Sequence, residues 1–569
     1  MKQPLAGNQY VIGAMSKWTF VCVCAAAVLA EEGSRVVRLA QGPVRGYRDA
    51  DGDLFAFYGV PYATAPTGKN KFKPPMPPPT NEEVLEAVDR GIICPQASMD
   101  PFTAIIVKKT MKEDCLIANI FVPDTQNKNL PVLVYIHGGG FQMGYGHLCQ
   151  VKNLIRTKKL IVVTFNYRLG VHGFLCLGTK DIPGNAGMKD QVALLRWVKE
   201  NIHAFGGNPN DVTLGGGSAG AASADLLMLS KASKGLFNKV IPESGSSLAA
   251  FAMQPDPLEN AKNFANQLNF TNTNDIYALE EFYKSATLEQ LTIDTFIDKK
   301  DSTFVFSPCV ERNIGEEVFL DEDPLTILQN GNYEKLPLLI GFANMEGLLR
   351  IDFFETWKNA MNEKFSDFLP ADLTFKNEEQ KQEIANIVKQ FYFGDKPVNN
   401  DNILSYVDFF SDVIFNVPAL RSVEFHLKNG HDKVYLYEYS FTDDEIPLVP
   451  HTEVRGANHC AQTIALLDGK NVFEMDENKC SEEFKKMKSV VRELWTNFVT
   501  TGFPVPVGSE FPSWPAVRAN LTPYMSLGRT LELKGALLER RVRFWNDIYD
   551  KYYHTPLPPP AYARLNTEL

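Results

Sequence analysis

The sequence predicts a doubly wound α/β fold, in which helices flank a central, mostly parallel sheet. Two continuous apolar runs rich in β-branched residues, 131–137 and 159–167, are typical of strands buried on both faces. A helix is predicted over 189–204, where apolar residues recur at three- and four-residue steps. Strands that alternate with helices in this way predict a parallel sheet.

The remaining elements follow in chain order. Apolar stretches alternate with Gly and Asp turns over 36–63, which predicts short antiparallel strands. Further strands are expected to end at 212–214 and to cover 335–341 and the run that begins at 433. A helix over about 482–500 is stopped by Gly502 and Pro504. The polar, helical segment at about 255–335 is interpreted as an insertion over one end of the sheet, where such folds usually form their pockets.

Length and composition are those of a folded globular protein. The chain has 569 residues, 44% hydrophobic and 22% charged, and we expect one domain over 31–553. The Pro-rich tail, 554–569, is predicted to be an exposed extension. A net charge of −11 argues against nucleic acid as a partner, because phosphate binding needs clustered Lys and Arg.

The N-terminal 30 residues are predicted to be a cleaved leader. The apolar run 18–30 follows Lys17, ends at Ala30 and precedes two glutamates, the pattern of a secretory signal. It is shorter than the roughly 20 residues that span a bilayer, so a membrane anchor is the weaker alternative, and no other run is expected to span. Met15 is an alternative start. We therefore predict secretion, with the ER lumen as the second choice.

Cysteines and sequons agree with export. Removal of the leader leaves seven cysteines, so at least one is unpaired or pairs between chains. Asn269 and Asn520 each begin an N-x-[ST] sequon and are candidate glycosylation sites.

A candidate nucleophile, Ser218, lies at the centre of a G-x-S-x-G motif. The motif spans 216–220, directly after the strand that ends at 214 and before a helical run, which is the strand–turn–helix context of an α/β-hydrolase nucleophile. Small neighbours are needed because the chain folds tightly against itself at this turn. The rival reading is a glycine-rich turn with an incidental serine.

A second motif, His137 followed by three glycines, predicts an oxyanion hole. Glycines let backbone N–H groups approach a developing negative oxygen that side chains would otherwise shield. We assign the donors as the amides of Gly139, Gly140 and Ala219. Loss of one such donor typically costs about 3 kcal/mol of transition-state stabilisation.

A serine nucleophile needs a base, and the base needs an orienting acid. Glu346 follows the predicted strand 335–341 and is the candidate acid. Five histidines follow it in the chain: His426, His431, His451, His459 and His554. Spacing favours His459 only modestly over His451.

Taken together, the motifs resemble those of the type-B carboxylesterases, the family that includes the cholinesterases, and most of all the secreted insect members. The resemblance covers about 35–550. Its motifs occur in the family's order: FYGVPYA at 57–63, EDCL at 113–116, HGGGF at 137–141, NYRLG at 166–170, GNAGMKDQVALLRWV at 184–198, GNPNDVTLGGGSAG at 207–220, and G-x-x-N-x-E-G at 341–347.

This resemblance implies a serine esterase. It matches the family's acid to Glu346 and its G-x-x-H motif to 456–459, so Ser218, Glu346 and His459 would form the triad. It also implies a disulfide between Cys94 and Cys115. The implied reaction is two-step acyl transfer on a small-molecule ester, with no metal or cofactor. Four further residues match family positions and are interpreted as structural, with no part in the chemistry: Arg168, Asn185, Asp190 and Gln191.

Several positions depart from the family's pattern. Gly217 precedes the serine, where many relatives carry an acid, and Gln462 stands where relatives often have one. The loop between Cys94 and Cys115 has Phe102 but no Trp to face a quaternary ammonium group, which argues against choline esters as substrates. Cys460 beside the base is unusual.

Two other function classes stay open at this point. One is a catalytically silent, cholinesterase-like adhesion module, and the other is a lipase-like hydrolase that acts at interfaces. The physiological ester, the acyl-chain and alcohol specificity, the oligomeric state, and the pairing of Cys149, Cys176, Cys309, Cys460 and Cys480 are not given by the sequence.

Overall fold

The computed structural model describes residues 33–50, 52–97, 109–148, 150–292, 298–469 and 476–562. The predicted leader, 1–30, lies outside the described residues, as do Phe102 and Cys149.

Strands make up the centre of the molecule. In chain order the described strands are β1 Ser34–Leu39, β2 Gly42–Arg48, β3 Leu54–Pro61, β4 Leu85–Glu86, β5 Ile92–Ile93, β6 Thr110–Met111, β7 Ile117–Pro123, β8 Leu130–Ile136, β9 Ile161–Phe165, β10 Gly207–Gly217, β11 Lys239–Glu243, β12 Leu338–Ala343, β13 Val434–Tyr439, β14 Tyr524–Leu527 and β15 Leu531–Lys534.

Thirteen of these strands form one sheet, in the order β1-β2-β3-β7-β9-β8-β10-β11-β12-β13-β14-β15, with β4 beside β2. The pairs from β9 through β14 are all parallel. Antiparallel strands extend the sheet at both ends. The predicted fold class, a mostly parallel sheet preceded by short antiparallel strands, is confirmed.

Helices connect and cover the strands. The described α-helices are α1 Lys152–Ile155, α2 Gly170–Phe174, α3 Ala186–Asn201, α4 Ala219–Leu229, α5 Pro257–Gln267, α6 Ile276–Ser285, α7 Leu288–Leu291, α8 Pro324–Asn330, α9 Phe354–Glu363, α10 Glu378–Phe393, α11 Ile403–Ser411, α12 Val417–Lys428, α13 Ala461–Leu466, α14 Glu482–Thr501 and α15 Glu539–Tyr552.

Both faces of the sheet are buried, as β8 illustrates. Val132, Val134 and Ile136 point into the larger apolar core, which also contains apolar residues of α3 and α4. Leu133 and Tyr135 point into the core on the opposite face, together with apolar residues of α14. Burying one such aliphatic side chain completely stabilises the folded state by about 1.5–3 kcal/mol. The uninterrupted apolar run at 131–137 therefore reflects helices on both sides.

The sequence placed most elements within a few residues. The predicted helices at 189–204 and 482–500 correspond to α3 and α14, and the predicted strands at 335–341 and 433 onward correspond to β12 and β13. The predicted insertion at 255–335 contains α5 to α8. A larger helical block, α9 to α12 between β12 and β13, was not anticipated.

The described part of the tail corrects one expectation. Residues 554–562 were predicted to extend into solvent, but Pro556 and Pro559 are buried. Arg312 donates two hydrogen bonds to the Pro559 carbonyl, at 2.8 and 2.6 Å. Proline carbonyls accept hydrogen bonds as well as any other, so a Pro-rich segment can dock on a surface arginine.

The membrane prediction is corrected in one respect. Within the described ranges, the helical run Asn400–Lys428 is long and apolar enough to cross a bilayer, although no run outside the leader was expected to be. In its most apolar window, 83% of the residues are buried inside the fold, as in the core helix of a soluble protein.

A buried ion pair holds α3 against the loop after β9. The Arg168 guanidinium donates two hydrogen bonds to the Asp190 carboxylate, at 2.8 and 2.6 Å, and both side chains are at most 2% exposed. Arg168 also donates to the carbonyls of Lys71 and Lys73. These contacts support the interpretation of Arg168 and Asp190 as scaffold.

Asp190→Asn is therefore expected to lower the free energy of unfolding by about 3–5 kcal/mol, because it leaves the buried Arg168 charge unpaired. Urea unfolding followed by circular dichroism measures the change. The matched control is Asp321→Asn in the Lys231–Asp321 pair, whose side chains are 73% and 48% exposed. That change should cost at most ~1 kcal/mol. Equal losses in the two variants would contradict the prediction.

Candidate active site

The carboxyl ends of four adjacent strands meet at one edge of the sheet. Gly216 of β10 pairs with Ile136 of β8, and Gly217 pairs with Glu243 of β11. Glu243 in turn pairs with Gly341 of β12. The segments that follow these strands carry the His137 glycine loop, Ser218, Ser244 and Glu346, so the parallel topology brings residues distant in sequence to one edge.

Ser218 occupies a strained turn between β10 and α4. Its φ of 58° and ψ of −123° are unusual for a residue with a side chain, a strain that costs on the order of 1–3 kcal/mol. The turn needs its glycines: a Cβ at Gly216 would lie 2.6 Å from the Gly220 carbonyl carbon, and one at Gly220 would collide with the Ile136 carbonyl. Ser218 is partly exposed while Gly217 and Ala219 are buried.

The glycine loop after β8 lies against this turn. A Cβ at Gly138 would be 2.7 Å from the Gly217 carbonyl, and Gly139 and Gly140 have φ angles of 110° and 63°. In the part of the chain that the structure describes, the amides of Gly139 and Gly140 donate to no protein acceptor. Ala219 is the first residue of α4, where amides have no intrahelical acceptor.

Two side chains fix the glycine loop in place. The buried His137 ring stacks on Tyr167 with centroids 4.4 Å apart. Burial lowers the pKa of His137 to about 4, so this imidazole stays neutral near pH 7. Gln142, buried at the far end of the loop, donates to the Phe306 carbonyl at 2.5 Å. His137 therefore supports the loop and carries no charge.

Glu346 and His459 are brought together, although 113 residues separate them. His459 Nδ1 lies 2.5 Å from Glu346 Oε2, and the carboxylate is fully buried. The other carboxylate oxygen accepts the Ala343 amide at 2.7 Å and the Ser244 hydroxyl. Gln462 in turn donates to the Ser244 hydroxyl at 2.6 Å. Glu346 is thus held by the amide of Ala343, at the end of β12, and by the hydroxyl of Ser244, which follows β11.

The pKa of His459 reflects opposing influences. Burial lowers it, but the adjacent Cys460 and Glu346 outweigh burial and raise the pKa above its ordinary value. A carboxylate bonded to Nδ1 stabilises the protonated ring, which makes Nε2 a stronger proton acceptor.

The other downstream histidines lie elsewhere. His451 is exposed, with Nε2 3.5 Å from a Glu355 oxygen. His426 and His431 are buried next to each other, and Tyr333 bonds to His426 at 2.7 Å. The choice between His451 and His459, which spacing left open, favours His459 because this imidazole is the one bonded to Glu346.

Ser218 and His459 are not hydrogen-bonded to each other among the described residues. Instead, His459 Nε2 lies 3.5 Å from Cys460 Sγ. A Cβ at Gly217 would be 3.4 Å from that sulfur, so the turn that carries His459 and Cys460 lies against the residue before Ser218. Catalytic hydrogen bonds are often long without substrate and tighten when it binds.

An aromatic residue not singled out from the sequence covers the imidazole. Phe415 stacks on the His459 ring, with centroids 4.1 Å apart and 24° between the planes. It belongs to a π-helical turn, Asp412–Asn416, between α11 and α12. Phe415 also contacts Phe251, which contacts Phe304, so a series of aromatic rings leads away from His459.

Glu243 is a second buried carboxyl at this edge, and no motif pointed to it. It receives hydrogen bonds from Trp495, at 2.5 Å, from Tyr135, at 2.9 Å, and from Thr463. Burial raises its pKa to about 7, against these hydrogen bonds. Its carbonyl accepts the Ser218 amide at 2.8 Å, so its backbone supports the strained turn.

The remaining predicted residues are the cysteine pair and the two sequon residues. The sulfurs of Cys94 and Cys115 are at disulfide distance, 2.05 Å. The sequon residues Asn269 and Asn520 are both exposed, as glycosylation requires.

The chain is similar to known proteins over most of its length. The sequence profile of the carboxylesterase family matches residues 33–545. Juvenile hormone esterase from Heliothis virescens is 33% identical over 534 residues, which cover 87% of this chain and 90% of that protein. Esterase FE4 from Myzus persicae is 32% identical, over 82% of this chain and 83% of that protein.

A solved structure is also similar. The crystal structure of juvenile hormone esterase from Manduca sexta, with OTFP covalently attached, has a TM-score of 0.80 and 31% identity. The match covers 91% of this chain and 100% of the chain in that structure.

Proposed function

The chain belongs to the carboxylesterase family, and from that premise we propose that it hydrolyses uncharged carboxylic esters through Ser218, Glu346 and His459. It is a carboxylic ester hydrolase of the α/β-hydrolase fold. The observation that carries the triad is the 2.5 Å bond between His459 and the buried Glu346, beside the strained turn of Ser218. This pairing also speaks against a catalytically silent adhesion module.

In the first step, Ser218 Oγ attacks the ester carbonyl carbon while neutral His459 accepts the hydroxyl proton at Nε2. This step requires Nε2 to exchange its contact with Cys460 Sγ for one with Ser218 Oγ. The Glu346 carboxylate then stabilises the imidazolium across the Nδ1 bond. The imidazolium returns its proton to the leaving alcohol, and an acyl group remains on Ser218.

In the second step, water attacks the acyl-enzyme. His459 takes a proton from the water and returns it to Ser218 as the carboxylic acid leaves. In both steps we assign the oxyanion to the amides of Gly139, Gly140 and Ala219. The amides of Gly139 and Gly140 donate to no acceptor among the described residues, which supports this role, because such donors act on the charge that develops in the transition state.

The groups beside Ser218 favour uncharged substrates. Gly217 places no carboxylate before the serine, and Glu243 is partly neutral near pH 7. A quaternary ammonium group would therefore meet little negative charge here. Its relatives include juvenile hormone esterase and esterase FE4. We therefore propose that the partner of this chain is a small-molecule ester.

The proposal includes export. A cleaved leader over 1–30 would deliver the chain to the secretory pathway, where a Cys94–Cys115 disulfide forms and the exposed Asn269 and Asn520 meet the glycosylation machinery. The alternative destination is the ER lumen.

An organophosphate ester tests the nucleophile directly. Paraoxon should add one diethylphosphoryl group, with loss of p-nitrophenol, and abolish hydrolysis of p-nitrophenyl butyrate in step with labelling. Peptide mapping should place the adduct on Ser218, because an activated hydroxyl attacks phosphorus as it attacks an ester carbonyl. An adduct on another residue, or full labelling without loss of activity, would contradict the assignment. Relatives give precedent for covalent modification, since one carries covalently attached OTFP.

A further inference from the structure

Two cysteines distant in sequence lie side by side in the core. Cys176, after α2, and Cys309, before α8, are each fully buried, at 0% exposure. A Cβ placed on Gly184 would be 2.6 Å from Cys176 Sγ and 2.9 Å from Cys309 Sγ. Both sulfurs thus lie against the same side of one glycine, and both cysteines are free thiols in the structure.

The backbones on both sides of this pair are held in place. The Asn185 side chain binds both peptide groups of Cys309: it accepts from the amide at 2.9 Å and donates to the carbonyl at 2.8 Å. Cys176 Sγ donates to the Pro183 carbonyl at 3.6 Å, within the loop that ends at Gly184. Gly184 has a φ of 106°, a conformation that residues with side chains rarely adopt. A side chain at position 184 would collide with both sulfurs, so the glycine leaves this space to them.

We propose that Cys176 and Cys309 form a disulfide bond in the mature protein. The inference goes beyond ester hydrolysis and uses only the oxidising compartment of the proposed function, which the Cys94–Cys115 pair also requires. The oxidant is a low-molecular-mass disulfide such as oxidised glutathione. One cysteine thiolate attacks it and releases one glutathione; the second cysteine thiolate then attacks the mixed disulfide and releases the other. Two thiols lose two electrons in total, and one glutathione disulfide gains them.

The bond forms during folding, before the core closes. The attacking species is the thiolate, and burial raises the pKa of the Cys309 thiol, so the folded pair reacts slowly. The same burial then shields the finished bond from reductants. It is therefore a structural crosslink, in contrast to Cys460, which is partly exposed beside His459.

The crosslink would anchor a segment next to the active site. Phe306, three residues before Cys309, accepts the hydrogen bond from Gln142 at the end of the glycine loop. Phe304 is the last ring of the aromatic series that begins at Phe415. The segment that carries both is fixed at one end by Cys309. A bond to Cys176 would restrict the unfolded chain and hold this segment on the loop after α2.

Peptide mapping tests the proposal without reference to activity. The protein is produced in a secretory eukaryotic host, denatured in guanidinium chloride with excess iodoacetamide and no reductant, and then digested. We expect one crosslinked peptide pair that joins Cys176 to Cys309 and is two hydrogens lighter than the two thiol peptides. Reduction before alkylation should replace it with two alkylated peptides.

The same digest contains its own controls. Cys94 and Cys115 report whether the compartment oxidised the chain, and Cys460 reports whether the reagent reached free thiols. Alkylated Cys176 and Cys309 would overturn the proposal, whether the Cys94–Cys115 crosslink is present or absent. Loss of esterase activity with the crosslink intact would count against the proposed function alone.

A mutant cycle gives a second readout. If the bond exists, Cys176→Ala, Cys309→Ala and the double variant should lower the thermal unfolding midpoint by similar amounts, because either single change already removes the crosslink. Two independently packed thiols would instead give losses that add. Additive losses would overturn the proposal even where mapping is incomplete.

Discussion

Ser218→Ala is expected to lower kcat/KM for p-nitrophenyl butyrate by roughly 10⁵–10⁶, to the level left by the oxyanion amides and substrate binding alone. The serine oxygen forms the covalent bond in the proposed mechanism, so no neighbouring group replaces it. Steady-state hydrolysis followed at 400 nm measures the loss, and near-UV circular dichroism checks the fold. We expect unfolding to change by less than ~0.5 kcal/mol, because Ser218 Oγ has no hydrogen-bond partner to strand among the described residues.

The sharpest control is Cys460→Ala. In the structure, His459 Nε2 contacts Cys460 Sγ and not Ser218, and a Cys–His pair is itself a known nucleophile–base arrangement. If Ser218 is the nucleophile, Cys460→Ala should keep kcat/KM within about tenfold while Ser218→Ala is inactive. If the thiol were the nucleophile, the two results would be reversed. We expect the first outcome, with Ser218 as the nucleophile, because the amides assigned to the oxyanion hole flank Ser218.

What the sequence predicted well was local in the chain. The G-x-S-x-G turn, the glycine loop after β8 and the glutamate after β12 each follow a strand within a few residues. A short motif fixes the backbone of such a turn, as the positive φ angles of Ser218, Gly139 and Gly140 show. Parallel topology then places all of these turns at one edge, so the fold class, the candidate nucleophile and the candidate acid could be predicted together. His459 was chosen over His451 only through the resemblance to the family.

What the sequence did not predict depends on contacts between distant segments. Ser244 and Gln462 support Glu346 by hydrogen bonds across the sheet edge, and no spacing rule links them to residue 346. Phe415 reaches His459 from a π-helical turn, and nothing in the pattern of α11 and α12 signals that turn. The proximity of Cys176 and Cys309 likewise exists only once the loop after α2 meets the segment before α8.

Glu346→Gln is expected to lower kcat by about 10³–10⁴, the scale seen when the acid of a serine triad becomes an amide. The geometry explains why. Glu346 Oε1 accepts the Ala343 amide and the Ser244 hydroxyl, so a glutamine must place its carbonyl oxygen there. Its NH₂ group then faces His459 Nδ1 and donates to it. The ring is held with its proton on Nε2, the tautomer that cannot accept a proton from Ser218.

The pH profile separates this role from simple packing. The base must be neutral, so wild-type activity is lost as the pH falls through the raised pKa of His459. Removing the Glu346 charge lowers that pKa. The acidic limb of kcat/KM for the residual activity should therefore move to lower pH, by roughly 1–3 units. A packing defect would reduce the rate at every pH and leave the limb in place.

Glu243→Gln is the matched control, since it changes an equally buried carboxyl at the end of the neighbouring strand. Glu243 bonds to Trp495, Tyr135 and Thr463 and not to His459. Its pKa of about 7 means that the neutral form is already populated near neutral pH, and glutamine resembles that form. We expect kcat within about tenfold of wild type and an unmoved acidic limb. If the two glutamine variants lost activity equally, the requirement would be for buried carboxyls in general, and Glu346 would lose its assigned role as the partner of His459.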